Sequence, residues 1–173
     1  MPKIISGLDT KLLSIAKKIV SAEGYDALSM KAIAKESKIA VGTIYNYYPD
    51  KNSLLSDIVA DNWKILSSSL ESKIEGLATV EEGIKLLYEA FISFSLEHQS
   101  LFAHLTTSGN AAYYASYKNF IEEGARLLEK ITLRFGEKHN QKNFQLAASM
   151  FSFAIHFPDT PYEIIEESIR KLL

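Results

Sequence analysis

The stretch Ala40-Val41-Gly42-Thr43-Ile44-Tyr45-Asn46-Tyr47-Tyr48-Pro49-Asp50-Lys51 packs three tyrosines into four positions and sets a glycine inside a helical pattern. On a helical wheel its residues sort into pairs four apart. Ile44 and Tyr48 form the apolar side, with Thr43 and Tyr47 on one shoulder and Val41 and Tyr45 on the other. Gly42 and Asn46 lie opposite. A glycine costs a helix interior about 1 kcal/mol relative to alanine. That cost at Gly42 implies a body that must come close to the backbone there.

Upstream, Leu8, Leu12, Ile15, Ile19 and Val20 recur at helical period and predict a first helix. Gly24 suits a left-handed cap at its end, with Tyr25 supplying the hydrophobic contact of that cap. Ser29 is an N-cap for a short second helix whose Met30, Ile33 and Ala34 point inward. Lys38-Ile39-Ala40 breaks it, a third helix spans Val41 to Tyr48, and Pro49 stops that one. Asp50 caps a fourth helix that runs to Glu75, before Gly76. Two short helices around a tight break, braced by a longer one, make a helix-turn-helix, whose second helix enters the DNA major groove. Gly42 then lets the backbone approach base edges, beside Val41 and Asn46. The Thr43, Tyr45 and Tyr47 hydroxyls donate to phosphates, and Tyr48 packs. Lys51 brings a cation to another phosphate at the start of the fourth helix. Ser29 and Lys31 complete the candidate DNA contacts.

The remainder is helical as well. Thr79 caps Val80 to His98, with Leu87, Phe91, Phe94 and Leu96 as its inward set. A short piece from Ser100 to Thr107 and a loop at Ser108-Gly109-Asn110 precede a long amphipathic helix, Ala111 to Phe135. Residues 141–157 are apolar nearly all round, which requires cover from two directions. A last helix runs from Tyr162 to the end. No alternating strand pattern, repeat or low-complexity tract occurs. The fold class is all-α with about nine helices, divided into a DNA-binding domain at 1–52 and a regulatory and dimerisation domain at 53–173.

The run Gly24-Tyr25-Asp26-Ala27-Leu28-Ser29-Met30-Lys31-Ala32-Ile33-Ala34, followed by Ile39 to Lys51, resembles the DNA-binding domain of tetracycline-repressor-like (TetR family) transcriptional regulators. The match covers roughly residues 8 to 58. The resemblance implies a homodimer on palindromic operator DNA, a helical body holding a small-molecule inducer, and a four-helix dimer interface built from the last two helices. It implies repression as the default. Dimer candidates are then Phe144, Met150, Phe151 and Ile155, with Ile165, Ile169 and Leu172 from the last helix. Three departures from the family pattern stand out. Lys38 replaces a usual glycine, Ala40 cannot cap the third helix as a serine would, and Val41 replaces a polar or basic reader. Valine can meet a thymine methyl but makes no bidentate bond to guanine, so an A/T-leaning half-site is expected at that contact. Past residue 60 the likeness thins to a general pattern, with Glu97 to Phe102 resembling the family's helix-break-helix joint and Gln99 in place of a frequent proline.

Bulk properties agree with this reading. The net charge of −2 hides eight lysines against five acidic residues within 1–52, leaving +3 on the head and −5 on the rest. A basic head on an acidic body suits a head that meets a polyanion. No arginine precedes Arg126, so the head relies on lysine point charges. There is no cysteine, hence no disulfide or cysteine-ligated zinc. The N-terminal residues are too short and polar for a signal peptide, and no apolar run reaches membrane-spanning length. A cytoplasmic protein of a bacterium, acting on DNA and not at a membrane, is expected. His98, His104, His139 and His156 lack metal-ligand spacing, and no phosphate loop or nucleophile elbow occurs. No metal, cofactor, catalytic residue or enzymatic activity is expected.

Candidates for an inducer pocket are Trp63, Leu66, Tyr88, Phe91, His98, His104, Tyr113, Tyr114 and Tyr117. Aromatic lining with few charges suits an apolar or flat ligand. Trp63, Leu66 and Phe91 fit plain core equally well, and the two histidines fit roles in the joint. The alternative is a DNA-binding structural or division-linked protein of the same fold without an inducer.

Overall fold

The computed structural model describes residues 5–99, 111–136, 141–157 and 159–173, with only the backbone of 111–116, 141–143 and 155. The described elements are α1 (Leu8–Glu23), a 3-10 turn (Tyr25–Ala27), α2 (Met30–Ser37), α3 (Val41–Tyr45) and α4 (Lys51–Ile74). They continue with α5 (Val80–Glu97), α6 (Ala111–Arg134), α7 (Gln141–His156) and α8 (Tyr162–Leu172). The fold is all-α, with eight α-helices among the described residues; the expected short helix at 100–107 lies outside them. No described helix is long and apolar enough to cross a membrane.

The chain divides into two compact units: Met1–Asp61 with Ser100–Ser116, and Asn62–Gln99 with Tyr117–Leu173. The boundary therefore falls inside α4, about two and a half turns beyond the expected division at 52/53. Leu54, Leu55, Ile58 and Val59 on those first turns are buried, and a Lys17–Asp61 ion pair ties α1 to the last residue before the boundary.

In the first unit the local signals act as their chemistry requires. Ser29 caps α2, its Oγ accepting from the Ala32 N–H at 3.1 Å. Asp50 and Ser53 form a reciprocal cap at the start of α4: Asp50 Oδ1 accepts from the Ser53 N–H at 2.7 Å, and Ser53 Oγ accepts from the Asp50 N–H at 3.4 Å. α1 ends at Gly24, but with φ 83° and ψ 172° instead of the expected left-handed helical values. That extended, positive-φ region is open essentially only to glycine. α3 is shorter than expected. The N–H groups of Tyr47 and Tyr48 both reach the Ile44 carbonyl, at 2.9 and 3.0 Å, so the chain leaves the helix after Tyr45 in a tight turn ahead of Pro49.

The turn between α2 and α3 rests on Lys38, at φ 58° and ψ 33°, the only described non-glycine residue with positive φ. Ser37 Oγ accepts from the Ile39 N–H at 3.3 Å and Lys11 Nζ donates to the Ser37 carbonyl at 3.3 Å, which hold the turn in place. A side chain in this region costs on the order of 1 kcal/mol that glycine avoids. Lys38→Gly is expected to raise unfolding stability by about 0.5–1 kcal/mol, read from urea melts; an unchanged midpoint would show that Lys38 bears no strain.

In the second unit α7 packs against α5 and α8. Its core is aromatic: the Trp63 ring lies 4.8 Å from Phe91 and 4.3 Å from Phe120, and Phe91 lies 4.9 Å from Phe151. Two glycines make room for this packing. A Cβ on Gly83 would meet Ile131 at 2.5 Å, and one on Gly124 would meet Phe91 at 2.6 Å. α5 begins at a reciprocal cap, Thr79 Oγ1 accepting from the Glu82 N–H at 3.2 Å and Glu82 Oε2 from the Ala78 N–H at 2.7 Å. Leu87, Phe91 and Phe94 are buried as expected. Leu96 is not: it stands 67% exposed, because the inward face of α5 passes to His98 instead.

Candidate nucleic-acid interface

α3 has one buried edge and a bare outer side. Ile44 and Tyr48 are buried, Val41 and Thr43 half-buried, and Gly42, Tyr45 and Asn46 exposed. Tyr48 keeps its expected packing role. Burial, and then the hydrogen-bonded Asp57 carboxylate, push its hydroxyl pKa well above the ordinary tyrosine value, while burial raises that of Asp57. Tyr45 is 49% exposed. A Cβ built on Gly42 meets nothing within 4 Å, and its φ lies outside the positive region. Nothing among the described residues requires glycine at this position.

Two expected phosphate contacts are otherwise engaged. The Tyr47 hydroxyl accepts from the Ile5 N–H at 2.5 Å and donates to the Ile5 carbonyl at 3.2 Å, clamping the segment ahead of α1. Because α3 stops at Tyr45, Tyr47 does not sit on a helix shoulder. Lys51 Nζ donates to the Tyr25 carbonyl at 3.1 Å and lies 3.6 Å from the centre of the Tyr25 ring. Burial lowers the Lys51 pKa. This lysine braces the 3-10 turn against α4, a cation–π contact that also caps a backbone carbonyl. Tyr25 was expected to cap α1 and was not expected to pair with Lys51, 26 positions away.

Of the head's other described lysines, Lys18 is exposed on α1. Lys11 and Lys17 have internal partners. Lys31, Lys35 and Lys38 are exposed and spaced four and three apart, so they share one side of α2 and its closing turn. Of these only Lys31 was singled out as a contact; the spacing of all three was visible in the sequence. Ser29 is exposed at the N-cap of the same helix. The candidate surface is therefore Ser29, the three lysines, and the Val41–Asn46 side with Gly42 at its centre.

The body's candidates fall into different places. Trp63 and Phe91 are buried in the aromatic core, in contact with each other. His98 is buried too: its Nδ1 donates to the Phe94 carbonyl at 2.9 Å and its Nε2 accepts from Asn62 Nδ2 at 2.9 Å. A carbonyl only accepts and an amide nitrogen only donates, which sets this tautomer. Leu66 and Tyr88 are half-buried, with the Tyr88 ring 4.8 Å from Tyr162. Tyr117 is half-buried, within 2.7 Å of Ser152 Oγ, and lines a groove of about 620 Å³ between α6 and α7 with Ile121, Gln145 and Leu146. His104 lies outside the described residues, as do the side chains of Tyr113 and Tyr114.

Of the expected dimer residues, Phe144, Phe151, Ile165 and Ile169 are buried within the single chain and present no surface. Met150 and Leu172 are half-buried, and the Ile155 side chain lies outside the described residues. The exposed apolar side chains of α7 and α8 are instead Leu146, Phe153, Phe157 and Ile164. Their signal was present in sequence: Leu146, Met150, Phe153 and Phe157 are spaced four, three and four, as in a coiled-coil seam.

The model of bacterial regulatory proteins of the tetR family matches residues 12–58. The HTH-type transcriptional regulator UidR of Escherichia coli K12 is 33% identical over 86 residues, covering 47% of this chain and 44% of that protein. The chain thus matches under half the length of that relative. An HTH-type regulator of Staphylococcus aureus is 24% identical over 152 residues, 84% of this chain and 80% of its own length. Among solved structures, RolR without ligand superposes with a TM-score of 0.71 at 19% identity, over 94% of this chain and 89% of that one. RolR has also been solved with resorcinol. FadR of Thermus thermophilus, a TetR-family repressor solved with lauroyl-CoA, gives 0.63 at 17% identity, over 95% and 90%. Residues 12–58 thus match the tetR family of bacterial regulatory proteins, and the chain shares its fold with RolR and FadR.

Proposed function

We propose that this chain is a transcriptional regulator of the bacterial cytoplasm that binds a palindromic operator as a homodimer, represses from it, and is released by a small apolar or aromatic ligand. The observation that carries the reading is Gly42, a glycine with open space around it on the bare side of α3. Its cost to the helix is explained if a DNA backbone or base edge occupies that space. Tyr45 and Thr43 then bond phosphates, and Lys31, Lys35 and Lys38 supply the attraction.

Fluorescence anisotropy on the chain's own upstream DNA tests this. Affinity is expected to fall steeply with salt, and Lys31→Ala to reduce the slope of log K against log salt by about 2 for the dimer, one phosphate per protomer. A flat salt dependence would remove the DNA reading. Operator selection is expected to return A/T pairs at the Val41 contact.

One observation favours the reading without an inducer: the central pocket candidates, Trp63 and Phe91, pack against each other. Ligand-bound RolR and FadR favour release by a small molecule. Thermal-shift screening with apolar and aromatic compounds separates the two, since a ligand that binds the folded state raises the melting temperature by mass action.

A further inference from the structure

The outer apolar residues of α7 follow a spacing that reads the same in both directions: Leu146 to Met150 is four, Met150 to Phe153 three, and Phe153 to Phe157 four. The Phe157 N–H donates to the Phe153 carbonyl at 3.0 Å, so the helical turn carries the pattern to its last member. Two such helices, laid antiparallel about a two-fold axis between Met150 and Phe153, bring Leu146 of one copy opposite Phe157 of the other. Leu146 is also where the surface opens into the groove between α6 and α7. Tyr117, Ile121 and Leu146 give that groove its apolar lining, with Lys118 and Glu122 on the α6 side. Its volume of about 620 Å³ exceeds the roughly 150 Å³ that holds one benzene-sized ring. Lys118 and Glu122 pair at 3.5 Å yet stay 73% and 47% exposed, open to a neighbouring charge. Asp159, two residues beyond Phe157, is exposed and opposite in sign to Lys118.

We propose that the groove between α6 and α7 is the seat of a second copy of this chain. Each copy inserts Phe157, stacked on Phe153 at 4.5 Å, into the groove of the other and sets Asp159 beside the other's Lys118. This rests on the homodimer proposed above, and it adds α6 to an interface that the family likeness draws from the last two helices alone. The ring leaves water for an apolar lining, which supplies attraction without direction. The charge pair at the rim fixes the register, because a slip along α7 would separate it. A two-fold axis makes the contact twice, once at each end of the paired helices.

The chain has no cysteine, so introduced thiols report position without interference. Lys118→Cys protein mixed with Asp159→Cys protein, and treated with a short bismaleimide after subunit exchange, is expected to give a covalent dimer. Neither protein alone is expected to do so, because the two copies of each position lie at opposite ends of the α7 pair. In sedimentation equilibrium, Lys118→Glu and Asp159→Lys are each expected to raise the dimer dissociation constant about tenfold, and the double variant to restore it. Phe157→Ala is expected to raise it at least tenfold with helix content retained, since that ring lies outside the protomer core. A dimer that gives no mixed cross-link, that cross-links like positions, or whose dissociation constant ignores these changes overturns the groove as the seat and leaves the homodimer standing. A parent chain that stays monomeric removes both.

Discussion

Gly42→Ala is expected to leave the protein as stable as the parent, or more stable by up to about 1 kcal/mol, while weakening operator binding by about one to two orders of magnitude. The two effects have opposite signs because they have separate causes. Within the protein a methyl at this position meets nothing within 4 Å and the backbone φ is outside the positive region, so alanine adds helix propensity at no steric cost. Against a duplex bound as proposed, the same methyl would occupy the gap through which α3 approaches the groove. Gly124 provides the internal contrast, since a methyl there would strike Phe91 at 2.6 Å and destabilise the fold. Urea melts paired with anisotropy on the upstream DNA check both halves. An alanine variant that binds the operator as tightly as the parent would show that nothing comes near this face.

If the chain dimerises on a two-half-site operator as proposed, Phe153→Glu is expected to give a monomer in light-scattering chromatography and to weaken binding to that operator by more than about a hundredfold, with helix content retained. The argument starts from exposure: Leu146, Phe153, Phe157 and Ile164 stand out from α7 and α8, and the Phe153 and Phe157 rings stack at 4.5 Å. With Met150, residues 146, 153 and 157 fall at four-three-four spacing beside an already buried side, a seam that a second copy would cover in the proposed homodimer. Across a two-fold axis one substitution places two carboxylates in that seam. Because Phe153 lies outside the protomer core, the chain itself is spared. Phe151→Glu makes the control: that side chain is fully buried, and a carboxylate there is expected to unfold the second unit. A dimer that survives Phe153→Glu would place the interface elsewhere.

The head was readable because its signals are local. Ser29 and Asp50 cap the helices that follow them, Gly24 takes positive φ, Lys38 takes the left-handed turn, and Ile44 and Tyr48 pack inward. Each depends on residues within about one helical turn, where side-chain chemistry and backbone geometry determine each other directly. The body's described helices were placed to within a residue or two for the same reason.

The internal contacts that the sequence did not show share a different cause. Lys51 reaches Tyr25 and Tyr47 reaches Ile5, pairs separated by 26 and 42 positions. A long side chain with a polar end is equally ready for a phosphate or for a backbone carbonyl, and only the folded chain brings the carbonyl within reach. α7 makes the same point for apolar residues. Its composition requires two covers, but whether Phe151 or Phe153 takes the inner one follows from where α5 and α8 lie against it.

Helix positions, caps, the turn at Lys38 and the small outer side of α3 were determined by the sequence by itself, because hydrogen bonds and sterics between near neighbours are enough to specify them. Tertiary packing alone decided which rings became core, which lysines found internal partners, and that the Trp63 N–H lies buried without an acceptor. Those outcomes depend on which distant groups compete for the same side chain, and that competition exists only once the helices are in place.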